Sequence, residues 1–260
     1  MECANCYLPN RSYPDVDTVR LLEFIDQFTV KTEFRLIGGE PTLHKDLAKI
    51  IMHINASPLN HRVGLVTNGL KLASKRYVKQ LKDAGLKYTY LSMNGFDDDK
   101  VYQILDNMKC AKLKMKALEN CLEQDIFVNI GFIITRGVNE FLLERMYKYF
   151  TENKLAVSFE FRNIGDIGRN MLEDNHIENY DFQEIKSMVF ETFKMSDKNI
   201  ITEDAYSIFC KNRNFLIRLN DWQRLPEGFD SKTNELRGRM TEDFRVAPFL
   251  ENILENEGFY

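Results

Sequence analysis

Apolar residues in this chain fall into short continuous runs, separated by longer stretches where they recur every three or four positions. The runs at 33–37, 62–67, 88–93, 126–134 and 156–162 read as strands. Val63-Gly64-Leu65-Val66, Tyr88-Thr89-Tyr90-Leu91-Ser92 and Phe127-Val128-Asn129-Ile130-Gly131-Phe132-Ile133-Ile134 are rich in β-branched and aromatic residues. Such runs suit strands covered on both faces. Between them the spacing is helical: Leu21, Leu22, Ile25 and Phe28; Leu47, Ile50, Ile51 and Ile54; Tyr77, Val78, Leu81 and Ala84. A long lysine-rich helix is expected over about 99–124, and Phe141, Leu142, Met146 and Phe150 make the next stripe. A repeating strand–helix unit with right-handed crossovers winds into a barrel or an open twisted sheet.

The rhythm changes after about residue 170. Asn175 to Phe193 reads as a loop and an amphipathic helix. Tyr206-Ser207-Ile208-Phe209-Cys210 and Phe215-Leu216-Ile217-Arg218-Leu219 flank a polar turn and predict a hairpin. Residues 226–243 are polar and loop-like, and Pro248 to Leu254 is expected to close the chain as a helix. Two regions follow: a core over 1–170 and an extension over 171–260.

At 260 residues the chain can bury a full core. A hydrophobic content of 44%, a charged content of 28% and a net charge of −4 are ordinary for a globular protein. That charge argues against broad binding to nucleic acid, which needs a basic surface. No apolar run approaches the ~20 residues needed to span a bilayer, so no membrane partner is expected. Five cysteines in a chain this long make no disulfide framework, and a reducing, cytoplasmic setting is the expectation.

Chemistry concentrates in two places. Cys3-Ala4-Asn5-Cys6-Tyr7 opens the sequence, and Gly38-Gly39-Glu40-Pro41-Thr42 follows the first strand. Taken alone, the cysteine pair is half a zinc site, a redox pair or two unrelated thiols. Glycines at the carboxyl end of a parallel strand let backbone approach a ligand, Glu40 adds an anionic acceptor for an ammonium group, and Pro41 stiffens the turn. The plainer use of the same turn is a strand-to-helix loop capped at Thr42.

Together, the Cys-x2-Cys pair and the Gly-Gly-Glu-Pro turn resemble the radical S-adenosylmethionine (radical SAM) superfamily. The resemblance implies a partial (β/α)6 TIM-like barrel lacking its first strand, with an α+β carboxy-terminal extension over 171–260 that covers the substrate side. It also implies a [4Fe–4S] cluster held by Cys3 and Cys6, and S-adenosylmethionine gripped at its methionyl end by Gly38, Gly39, Glu40, Pro41 and Thr42. Tyr7 stands in the aromatic position that follows the last family cysteine. Thr67-Asn68-Gly69 resembles the family's Thr-Asn-Gly turn, and Ser92 and Asn94 stand where polar side chains meet the ribose or carboxylate. Ile133, within a loose Gly-x-Ile match, and Ile164 with Gly165 are expected near the adenine. Strand ends favour Asn, Gly and Ser as turn formers in any case.

The family's first cysteine would lie four residues before Cys3, ahead of Met1. The expectation is an N-terminally truncated member, with an in-frame cysteine codon four codons upstream of Cys3. The activity implied is reductive cleavage of S-adenosylmethionine to a 5′-deoxyadenosyl radical that takes hydrogen from a substrate. The substrate class (small molecule, peptide or nucleoside) is open, and a one-electron reductant such as flavodoxin or ferredoxin would supply the electron. The rival is a degenerate barrel acting as a binding or scaffold module without a stable cluster; a zinc protein using Cys3 and Cys6 is the third reading.

The remaining polar groups carry less. His44 reads as a solvated histidine at a helix start, Cys110 and Cys121 as buried structural thiols, and Asp97-Asp98-Asp99 as a helix cap. Lys109, Lys112, Lys114 and Lys116 read as a solvated helix face. Arg213, Arg218, Arg237 and Arg239 hint at an anionic group on the substrate side or at surface salt bridging.

Overall fold

Each of the five apolar runs becomes a strand: β1 (Glu33–Leu36), β2 (Arg62–Thr67), β3 (Tyr88–Ser92), β4 (Phe127–Ile133) and β5 (Val157–Arg162). The computed structural model describes residues 3, 4, 6, 14–165, 178–223 and 238–247. The helices are α1 (Thr18–Asp26), α2 (Leu47–Ala56), α3 (Lys75–Asp83), α4 (Asp99–Asp106), α5 (Ala111–Glu123), α6 (Leu142–Glu152) and α7 (Phe182–Thr192). Their starts are set locally. Asp17, Ser74 and Asp98 accept hydrogen bonds from the first-turn amides of α1, α3 and α4, and Asp181 with Glu184 forms a capping box on α7.

The single helix expected over 99–124 is two. Asn107 closes α4 in the left-handed conformation, at φ 51°, and the chain restarts at α5. Asp98 caps the first helix, while the Asp99 carboxylate accepts from the Ala111 amide at 2.8 Å and holds the second.

The expected hairpin is β7 (Ser207–Lys211) with β8 (Leu216–Asn220), preceded by β6 (Ile200–Glu203), which the sequence pattern did not announce. These strands continue the main sheet, whose order is β1-β2-β3-β4-β5-β8-β7-β6. β1 to β5 and β8 run parallel; β7 and β6 are antiparallel. A further pair, β9 (Arg239–Met240) and β10 (Val246–Ala247), forms a small second sheet. Within the described residues β1 pairs only with β2 and stands at the sheet edge. The expected helix at Pro248 to Leu254 and Arg237 lie outside the described residues, as does the loop around residue 170.

From β1 to β5 each new strand is added on the same side of the last, which with right-handed crossovers places the connecting helices on one face. The result is an open, partial (β/α) barrel. The two faces of the sheet accordingly differ. Leu65, Leu91, Val128, Ile130, Phe159 and Phe161 point to the helical layer and join one buried cluster with Ile51, Ile54, Val78, Leu81, Leu118 and Phe150. Phe159 is its hub, with ring centroids 5.1 Å from Phe150, 5.2 Å from Phe193 and 5.3 Å from Phe215. Burying one such ring contributes about 1.5–3 kcal/mol.

Among the described residues the opposite face is half-buried rather than fully covered as the runs led one to expect. In β3, β5 and β8 buried and half-buried residues alternate. Tyr88, Tyr90, Glu160, Arg162 and Arg218 fall on this inner face, in register across the strands.

Candidate functional site

The first element of the site is the bend after β1. Gly38 sits at φ 149°, a conformation that favours glycine. Both Gly38 and Gly39 are exposed, and a Cβ built on either would meet nothing within 4 Å. The next residue ties this open backbone down. One oxygen of Glu40 accepts from the Thr42 amide (3.1 Å), the Thr42 hydroxyl (2.6 Å) and the Thr67 hydroxyl (2.6 Å). The other accepts from the Asn68 amide at 2.8 Å. Pro41 opens the short 3-10 turn Pro41–Leu43 that brings the buried Thr42 under Glu40.

The Thr-Asn-Gly turn is built around that carboxylate. Thr67 Oγ1 accepts from the Gly69 amide (3.0 Å), and Asn68 Oδ1 accepts from the Leu70 amide (2.9 Å). Gly69 is at φ 81°, where a Cβ would stand 2.3 Å from Leu91 Cδ1, so only glycine closes this turn. From the far side, Lys71 Nζ and the Tyr77 hydroxyl donate to the Thr42 carbonyl at 2.7 and 3.0 Å. Two sequence motifs 27 residues apart are thus one hydrogen-bonded unit at the carboxyl edge of the sheet.

Further along that edge, side chains rather than open backbone meet each other. Lys114 Nζ donates to the Ser92 carbonyl (2.8 Å). Asn94 Oδ1 accepts from the Ile133 amide at 2.9 Å, while Asn139 Nδ2 donates to the Asn94 and Ile133 carbonyls, both at 2.8 Å. Ile164 gives its amide to Asn179 Oδ1 (3.0 Å) and takes Asn179 Nδ2 on its carbonyl (2.6 Å). The backbone of Ile133 and Ile164, expected to meet an adenine, is therefore engaged by asparagine side chains, and an adenine edge at Ile164 has to displace Asn179. Gly165 follows at the end of the described stretch. Tyr7 lies outside the described residues.

The cysteine pair docks on the corner between α4 and α5. The Ala4 amide donates to the Leu105 carbonyl (2.8 Å), and the Cys6 amide to the Cys3 carbonyl (3.4 Å). Burial, then the neighbouring Asp106 carboxylate, push the Cys3 thiol up to about 12. The Ser92–Lys114 bond puts this corner at the carboxyl end of β3, the same edge as the bend after β1. Two strand spacings, about 10 Å, separate β1 from β3.

A [4Fe–4S] cluster takes thiolates. Here Cys3 is a half-buried thiol beside an anion, and among the described residues no three or more His, Cys, Asp or Glu side chains are grouped to hold a metal. As arranged, the pair does not fit a cluster. The open glycines and the Glu40 knot do fit S-adenosylmethionine: backbone is bare where a ligand approaches, and Glu40 Oε2 carries one hydrogen bond to three on Oε1.

Sequence reasoning missed Lys114. It is not a solvated lysine: it is fully buried, 3.5 Å from the equally buried Asp106, and its ammonium stands 4.7 Å from the centroid of the Tyr102 ring. Only the break at Asn107, which folds α4 back beside α5, brings the pair together, and no linear spacing announces that. Glu160 and Arg162 on the inner face were missed too, because the apolar residues between them dominated the reading of β5. Other readings fare better. His44 stands before a helix as expected but is half-buried rather than solvated, bonded to the Val16 carbonyl and the Asp46 amide; Cys110, Cys121 and Cys210 are buried. Asp97 pairs with Arg145 at 2.7 Å. No helix among the described residues is long and apolar enough to cross a membrane.

Comparison with known proteins follows the same lines. The profile of the Radical SAM superfamily matches residues 1–150. A GTP 3',8-cyclase of Staphylococcus saprophyticus is 31% identical over 152 residues, 58% of this chain and 44% of that protein. The same enzyme of Staphylococcus carnosus is 34% identical over 142 residues, 52% of this chain and 39% of that protein. The chain thus spans less than half the length of these relatives. Among solved structures, native anSMEcpe with bound AdoMet and Kp18Cys peptide superposes with a TM-score of 0.54 at 20% identity, covering 74% of this chain and 55% of that one. That likeness concerns the fold. With more than half of its residues matched by the family profile, this chain belongs to the radical SAM superfamily.

Proposed function

We propose that the protein is a radical SAM enzyme that holds S-adenosylmethionine at the bend after β1 and works on a substrate lying over the inner face of the sheet. The observation that carries the reading is the Glu40 knot, which fixes two bare glycines beside the Thr67–Asn68 turn. Gly38 and Gly39 leave the backbone open to the methionyl end, and Glu40 sets the position of both turns. In the family the reduced cluster supplies the electron that splits the sulfonium. A flavodoxin or ferredoxin is the proposed reductant. The names of the relatives and of the solved neighbour point to a nucleotide and to a peptide, and neither is carried across.

The test is S-adenosylmethionine binding by isothermal titration to the purified chain and to Gly39→Leu. Nothing stands within 4 Å of a Cβ at Gly39, so the variant is expected to melt like the parent while losing about tenfold or more in affinity. Equal affinity in both proteins, or none in the parent, would sink the reading.

The docking of Cys3 as a half-buried thiol on the α4–α5 corner favours a second reading, a non-catalytic barrel that binds without a stable cluster. Anaerobic reconstitution with iron and sulfide separates the two: about four irons per chain supports the enzyme, and a colourless folded protein supports the binding module.

A further inference from the structure

Two opposite charges on the inner face form no ion pair among the described residues; Arg35 on β1 feels the charge of Glu160 but is paired with Glu33 at 3.0 Å. Glu160 and Arg162 are two residues apart on β5, so both project from the same face, about 6.6 Å apart along the strand. Among the described residues Glu160 accepts no hydrogen bond and enters no ion pair. Arg218, directly across from it on β8, lies over the Phe209 ring instead, at 5.7 Å. Tyr90 approaches Glu160 from β3 by lying across Gly131, the residue in register with Glu160 on β4; a Cβ at Gly131 would stand 2.0 Å from the Tyr90 hydroxyl.

Arg162 is held without an acid. Its guanidinium stacks on the Trp222 indole at 3.7 Å, and among the described residues its buried Nε finds no hydrogen-bond partner. The indole is fixed from β5 itself: the Trp222 amide donates to Asn163 Oδ1 (2.7 Å), and Asn163 Nδ2 donates to Asp221 Oδ1 (2.8 Å). Stacking presents the guanidinium in one plane and leaves its polar edge for an oxyanion. Leaving a carboxylate and a guanidinium half-buried and unpaired costs stability, and such groups are kept where a ligand completes them. Arg162 ends β5 at the edge that carries the bend, and Glu160 lies one step deeper.

We infer that Glu160 and Arg162 recognise the two ends of an amino-acid zwitterion, the ammonium on Glu160 and the carboxylate on Arg162, as the substrate held over the inner face. The inference rests on the reading that the neighbouring bend holds S-adenosylmethionine, and the experiment separates the two. S-adenosylmethionine affinity is measured first on the parent, Glu160→Gln and Arg162→Gln. The twenty L-amino acids, and GMP as a nucleotide control, are then screened by saturation-transfer NMR on protein loaded with S-adenosylhomocysteine.

At least one amino acid is expected to bind. Its affinity should fall about tenfold or more in each variant, and its methyl ester and N-acetyl forms should not bind. Both variants should keep the parent's S-adenosylmethionine affinity, and Glu160→Gln should melt no lower than the parent; Arg162→Gln gives up its stacking on Trp222 and is expected to melt slightly lower. Absence of S-adenosylmethionine binding in the parent defeats the earlier reading. With that binding intact, any of four results overturns the inference alone: no amino acid bound, GMP bound in their place, variants that bind the amino acid unchanged, or variants that lose S-adenosylmethionine.

Discussion

Removing the Glu40 carboxylate should unfasten two turns at once. In Glu40→Gln the amide oxygen can keep the three donors now on Oε1, but the NH2 group then faces the Asn68 amide. One charge-assisted bond is lost and two donors confront each other, at a cost of about 2 kcal/mol. Glu40→Ala strands the Thr42 amide and the Thr42 and Thr67 hydroxyls, all in residues that are almost fully buried, and about 4 kcal/mol is the expected loss. For a chain of this size each kcal/mol lowers the melting temperature by about 2–4 °C. Melts followed by far-UV circular dichroism should therefore drop by about 4–8 °C for Glu40→Gln and about 8–16 °C for Glu40→Ala. Coupling is the sharper test. In a Thr67→Val background Glu40→Ala should cost at least about 1 kcal/mol less than in the parent, because one shared bond is already gone. Parent-like melting of Glu40→Ala, or strictly additive losses, would refute the knot.

Two further outcomes are expected. Gly131→Ala forces a methyl group onto the Tyr90 hydroxyl and should cost about 1–3 kcal/mol in urea unfolding; Tyr90→Ala should relieve most of that, and an equal cost in both backgrounds would show that the ring does not lie across Gly131. Arg136 holds the Glu184 carboxyl below its ordinary range through a bidentate contact at 2.6 and 2.7 Å. A depressed folded-state value means that the stabilisation is present above the unfolded-state value and lost as pH falls through the folded one. Melting temperature should thus decline between about pH 5 and pH 3, and Glu184→Gln should flatten that limb; identical acid limbs would remove Glu184 as a cause.

How far the sequence could be read depended on distance along the chain. Strands such as Tyr88–Ser92 and Phe127–Ile133 were legible because β-branched and aromatic runs define them locally. The Gly38–Thr42 bend and Thr67–Asn68 turn were legible as separate motifs, but their union through Glu40 was not, since a carboxylate gives no sign of which distant donors it will meet. Asn107 hid the helix break because asparagine adopts the left-handed conformation without needing glycine beside it. Burial of Lys114 and the place of β8 against β5 both hang on tertiary pairing. Tyr90, Glu160 and Arg162 escaped because apolar neighbours at every second position dominated the reading of their strands.

That alternation gives the sheet two independent inheritances. Positions that look towards the helices answer to the packing of that layer, and on the proposed reading those that look the other way answer to whatever molecule arrives. Exchange of Tyr88, Tyr90, Glu160, Arg162 or Arg218 alters chemistry without touching the layer anchored on Phe159, so one scaffold can be refitted to new guests while its architecture stays as it is.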